Sequence, residues 1–151
     1  MVTNSAYTRC VSTNTQFALA VHVLTMLAAL PRELQSSEAM AGSAGSNAVH
    51  VRRVLGRLRK AGMVASRPGP GGGWQLLAPP EATTLRDVWR AVHGDDPLLG
   101  LHDASPNCPE GRRIHASLEQ IDRRAAAAVE AELGTTTLAD LAEGTTLRVA
   151  S

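Results

Sequence analysis

A chain of 151 residues with 44% hydrophobic content is the size of one globular domain, or of one domain with an added arm. Its net charge of +1 suggests no partner, and two cysteines are too few for the disulfide framework of a secreted protein. No apolar run reaches the ~18–20 residues of a membrane span: residues 17–30 are interrupted by His22 and Thr25 and end at Pro31. The first ten residues carry no secretory signal, so a cytoplasmic protein with no membrane partner is expected.

The first predicted helix covers 15–30, with Phe17, Val21, Leu24, Leu27 and Ala28 as its apolar stripe and Pro31 closing it. Residues 1–13 read as a loose arm or a short extension packing on a partner copy. Ser36 or Ser37 caps a second helix, which turns Met40 and Ala41 inward and yields between Gly42 and Gly45. A third helix begins at Ser46, whose hydroxyl can cap its first amides, and runs through Lys60 to stop at Ala61-Gly62. Val51, Val54, Leu55 and Leu58 recur at the spacing of one buried face. Its other faces carry Asn47, His50, Arg52, Arg53, Arg57, Arg59 and Lys60, and the helix has no carboxylate of its own.

Two short extended runs, 63–67 and 74–78, flank the tip Gly69-Pro70-Gly71-Gly72-Gly73 and predict a β-hairpin. A hairpin placed directly after a basic helix is the wing of a winged helix-turn-helix. Gly71 and Gly72 leave no Cβ between backbone and a phosphate, and Arg67 at the base of the tip is placed to reach a minor groove. A phosphate-binding P-loop is the competing reading of these glycines, but no Lys or Ser/Thr follows Gly73. Charge supports a polyanion partner: residues 32–74 hold seven Lys/Arg against two acids, whereas 75–151 hold seven Arg against twelve acids.

Thr83 or Thr84 caps a helix over 85–92 with Leu85, Val88, Trp89 and Val92 as its apolar face, and both Trp74 and Trp89 read as packing residues. A long helix starts at Pro109 and runs to about 133, where Gly134 stops it. In it Ile114, Leu118, Ile121, Ala125 and Ala128 step by four and three residues, the spacing of a helix-pairing seam. A homodimer through 109–133 is therefore expected, with intrachain packing on the first helix as the alternative or companion role. Cys108 sits at the N-terminal edge of this helix, where the dipole favours thiolate and Glu110 opposes it, and is the candidate sensor of an oxidant or electrophile.

The blocks 16–24, 51–64, 69–76 and 85–92 together resemble the Rrf2 family of bacterial transcription regulators, from about Thr15 to about Leu133, most specifically over 58–73. The resemblance implies a mainly α fold with a small β-hairpin wing, that is, a winged helix-turn-helix plus a long C-terminal dimerisation helix. It divides the chain into a DNA-binding domain (1–92), an effector or sensor loop (93–109), and a dimerisation helix with a C-terminal tail (110–151). It also implies a homodimeric repressor or activator on an inverted-repeat operator, repression being the expected mode. Asn47, Val49 and Arg52 match base-facing positions of the family. The family commonly has Arg directly before the Gly-rich tip, where this chain has Pro68, so Arg67 is displaced by one residue. The expected DNA contacts are Ser37, Asn47, Val49, His50, Arg52, Arg53, Arg57, Arg67, Gly71 and Gly72.

Some family members hold an iron–sulfur cluster through three cysteines before the long helix. Here that segment offers Cys108 alone, with His93, His102 and Asp103 as non-thiol partners, and a zinc site from His93, His102 and Cys108 lacks paired local spacing. No cofactor or metal is expected; an iron–sulfur regulator remains an alternative, as does a winged helix that binds protein instead of DNA. An enzyme is not expected. Cys108 and His115 stand about two helical turns apart, ~10 Å along a helix, too far for a nucleophile and its base.

Overall fold

The computed structural model describes the backbone of residues 5–143 and the side chains of residues 15–143. Its central element is α1 (Ser5–Ala29), against which four of the other helices assemble. Residues 5–13, expected as a loose arm, continue this helix, while 1–4 lie outside the described residues. The most buried side chains of α1 are Ala20, Val23, Leu24 and Leu27, with Phe17, Val21 and Ala28 only partly covered. The buried stripe is thus rotated from the predicted one, because α1 is packed by α2, α3, α4 and α6 together.

Next come α2 (Ser37–Ala44) and α3 (Ala48–Lys60). Ser36 caps α2 by accepting from the Ala39 amide at 3.1 Å, and Gly45 closes it in the left-handed conformation at φ 59°. Met40 and Ala41 pack with Val51, Val54, Leu55 and Leu58 of α3 on the α1 core. The hairpin is β1 (Val64–Arg67) and β2 (Gly73–Leu76), antiparallel, with Val64 opposite Leu76 and Arg67 opposite Gly73. A third extended segment joins it: Gln35 N–H donates to the Trp74 carbonyl (3.0 Å) and Trp74 N–H donates to the Gln35 carbonyl (2.9 Å). Trp74 completes this attachment by donating Nε1–H to Ser37 Oγ at 3.2 Å.

Helix α4 (Leu85–His93) is capped by Thr84 in a reciprocal box with Asp87, and its Trp89 lies edge-on to Phe17 and stacks on His93. Helix α5 (Pro109–Leu133) takes the predicted span, yet none of its residues is buried. It is clasped to α4 by Arg90, which donates to Glu130 Oε2 through Nε (3.1 Å) and Nη2 (2.5 Å). That hydrogen bond, then desolvation opposing it and the charge of Arg90, leave the Glu130 carboxyl below its ordinary value of 4.5 and the Arg90 guanidinium above its own. A carboxyl depressed in the folded state contributes stability above its unfolded pKa and loses it as pH falls through the folded one. The urea midpoint should accordingly decline on acidification below about 4.5, and Glu130→Gln should flatten part of that decline. An unaltered acid profile in the variant would assign the dependence to other carboxylates.

The C-terminal segment returns to the N-terminal core. After α5 the backbone returns to 79–85, where Leu85 N–H donates to the Thr136 carbonyl (2.9 Å) and Leu138 N–H to the Thr83 carbonyl (2.9 Å). A short helix α6 (Leu138–Ala142), capped by Thr137 with Asp140, then packs on α1 and places Leu138 in the core at 0% exposure. Leu138 thereby joins the core built on α1.

Candidate nucleic-acid interface

Helix α3 exists as an exposed basic rod because its apolar side is wholly consumed: Val51, Val54, Leu55 and Leu58 are each at 0% exposure. Its cap is Asn47, not the predicted Ser46, with Oδ1 accepting from the His50 amide at 2.8 Å. Val49, Arg52, Arg53, Gly56 and Lys60 then recur at three- and four-residue spacing along the opposite, outward side. Val49 is 63% exposed, an uncommon position for an apolar β-branched side chain.

The five cations of α3 have different tasks. Arg52 pairs with Glu38 of α2, whose carboxyl is held below its ordinary value first by a backbone hydrogen bond and then by Arg52. Arg57 donates Nη1–H to the Val92 carbonyl at 2.5 Å, tying α3 to the end of α4. The Arg59 guanidinium lies 6.0 Å from the Trp74 ring centroid and reaches Ser66 Oγ at 3.5 Å, bracing the wing. Arg53 and Lys60 have no partner among the described residues and project from the outward side.

Three of the residues expected to contact DNA also have partners within the fold. Ser37 is 6% exposed, and its hydroxyl oxygen accepts from Trp74 Nε1–H. Asn47 accepts from the His50 amide through Oδ1, so its side chain serves as the helix cap. Arg57 is turned toward α4. His50 remains half exposed beside Val49.

In the wing, Gly72 has a folding role: a Cβ there would stand 2.1 Å from the Arg67 carbonyl oxygen, so only glycine closes this turn. Gly71, by contrast, is exposed at the tip with φ 73°. Arg67 lies on the hairpin face of Ala65 and Gln75, opposite to Ser66 and Trp74, since successive strand residues alternate. That face opens into a groove shared with Arg32, Glu33, Leu34 and Gln75. Arg32 was missed by sequence reasoning: a single Arg after Pro31 gives no periodic signal, and the tertiary fold brings it beside Arg67.

Far from this surface, the segment 94–108 is sewn onto α5. Leu99 N–H donates to Asp122 Oδ1 at 2.6 Å, and His115 Nδ1 lies 3.0 Å from the His102 carbonyl. The half-buried Cys108 caps α5, its sulfur accepting from the Gly111 amide at 3.3 Å and its thiol facing Glu110 Oε2 at 3.9 Å. His115 pairs with Glu119 at 3.3 Å and not with Cys108.

A helix-turn-helix whose second helix is basic and outward-facing, followed by a glycine-tipped hairpin, defines a winged-helix regulator. The family described as "Rrf2: Iron-dependent Transcriptional regulator" matches residues 13–144, and the chain belongs to it. It is therefore a transcriptional regulator of Rrf2 type and not an enzyme. Among similar proteins, YwnA of Bacillus subtilis (strain 168), named as an HTH-type transcriptional regulator, is 34% identical over 129 residues, covering 85% of this chain and 95% of YwnA. The crystal structure of Staphylococcus aureus CymR superposes with TM-score 0.63 at 25% identity, over 85% of this chain and 96% of CymR. A transcriptional regulator from Lactobacillus plantarum shares the fold with TM-score 0.74 at 23% identity, over 88% of this chain and 91% of its own.

The iron in the family description can be tested against the donors present. A cluster takes a set of thiolates, or two thiolates with two histidines. The segment between α4 and α5 supplies one thiol, Cys108, and among the described residues no three His, Cys, Asp or Glu side chains converge on a metal-sized site. These residues do not fit a cluster. No helix among the described residues is long and apolar enough to cross a membrane.

Proposed function

We propose that this regulator is a homodimer that binds an inverted-repeat DNA operator, with α3 in the major groove and the wing over the adjacent backbone. The observation that carries the reading is the outward side of α3: Val49, Arg52, Arg53 and Lys60 form one surface whose only neutralising acid among the described residues is the borrowed Glu38. In this arrangement Val49, His50, Arg52 and Arg53 face base edges, while Arg67, Arg32 and the amides around Gly71 hold phosphates. Two copies pair through α5, whose Ile114 and Ile121 are 56% and 50% exposed, which sets two α3 helices about one DNA turn (~34–36 Å) apart. Cys108 is the entry point for an oxidant or electrophile, because its sulfur accepts from the Gly111 amide in the first turn of the dimer helix and an adduct there changes the size and acceptor strength of that cap.

Selection of bound duplexes from a random pool, with reduced protein, tests these points together. The expected product is an inverted repeat whose affinity falls by orders of magnitude between about 50 and 200 mM salt. Oxidant should release wild type and leave Cys108→Ser bound. A pool that never enriches any duplex at low salt would favour a protein-binding winged helix, and equal release of both proteins would remove Cys108 from the sensing step.

A further inference from the structure

We infer that Val49 is a reader of the thymine 5-methyl group, so that each operator half-site carries a thymine selected by a hydrophobic contact. The inference rests on the DNA-binding reading above and specifies the chemistry of that same surface.

Val49 occupies the second helical position of α3, one turn ahead of Arg52 and Arg53 on the same outward side, and is 63% exposed. The described residues leave most of it uncovered, and its branched side chain adds nothing to helix propensity. Its surroundings are cationic, which disfavours a purely apolar protein or lipid partner and requires one that combines dense negative charge with a small apolar spot. Duplex DNA has that combination in the major groove, where the thymine methyl is the apolar group presented among donors and acceptors.

Two features narrow the assignment. Asn47 Oδ1 already accepts from the His50 amide, which holds that side chain as the helix cap, whereas Val49 projects from the outward side of the same turn. Gly56, two turns further along the same side, would place a Cβ with nothing within 4 Å. No packing among the described residues calls for a glycine there, although alanine would favour the helix. The absent side chain leaves the surface low beside Arg52 and Arg53, so the helix can lie deep enough for the short Val49 side chain to touch a base.

The test uses the full chain and the operator obtained by selection, in which each thymine is replaced in turn by deoxyuridine, a change that deletes only the methyl. One thymine per half-site should show a loss of roughly 4-fold in affinity, the value of one buried methyl-sized group. Val49→Ala should bind the thymine and uracil duplexes equally, and cytosine at that position should regain affinity when supplied as 5-methylcytosine. Wild-type indifference at every thymine, or undiminished uracil sensitivity in Val49→Ala, would overturn the assignment while leaving operator binding intact. Failure of the wild-type chain to bind any duplex would instead reject the DNA-binding reading on which it rests.

Discussion

Replacing Leu138 with alanine is expected to destabilise the whole winged-helix unit by about 2–5 kcal/mol, the range for truncating a fully buried leucine. The side chain is at 0% exposure among α1 residues, although it lies beyond the long helix and more than forty positions after α4. Around it the Leu85, Leu138 and Ala139 amides donate to the carbonyls of Thr136, Thr83 and Pro80, so the return segment is fastened by backbone as well as by packing. Urea unfolding of the full chain measures the effect, with Leu138→Met as the volume-conserving control that should lose less than about 1.5 kcal/mol. A change within about 0.5 kcal/mol for the alanine variant, the scale of an ordinary surface substitution, would show that α6 is not part of the cooperative unit.

The second large effect concerns assembly. Substituting Ile114 and Ile121 together with glutamate should yield a folded monomer, because both side chains are half exposed in the single chain and no residue of α5 is buried. A monomer engages one half-site, and losing the linked second contact should weaken operator binding by roughly 10²–10⁴-fold, the usual gain from joining two binding modules. Sedimentation would report the monomer, circular dichroism the retained helices, and a binding titration the lost affinity. A variant that remains dimeric would move the interface off this face of α5.

Much of the architecture was legible because it depends on local rules. Pro109 and Gly134 bound α5 as expected, since both ends are set by residues at the ends themselves. The 3.6-residue recurrence of Val51, Val54, Leu55 and Leu58 identified the buried side of α3, and the glycine-rich tip identified the wing. Where two neighbours competed for a cap, the pattern alone was ambiguous: Asn47 prevailed over Ser46 because the carbonyl of Asn reaches the His50 amide once α3 begins at Ala48. Helix α6 had a readable signature in Thr137 and Asp140, but five residues are too few for periodicity to declare them.

The candidate interface was legible in location and less so in assignment. A count of cations along α3 treats Arg52, Arg53, Arg57 and Arg59 alike, whereas the fold gives Glu38 to the first, the Val92 carbonyl to the third and the Trp74 ring to the fourth. Ser37 looked like a free hydroxyl at a helix start, and the wing indole claimed it. Periodicity, capping chemistry and turn residues act within a few positions of the chain, so the amino-acid order by itself determined α2 to α5, the main part of α1, the wing and the basic character of α3. Which polar groups stay available to a ligand was decided only by tertiary structure, because each such group is satisfied by whichever distant segment the packing of the apolar core happens to bring within hydrogen-bonding distance.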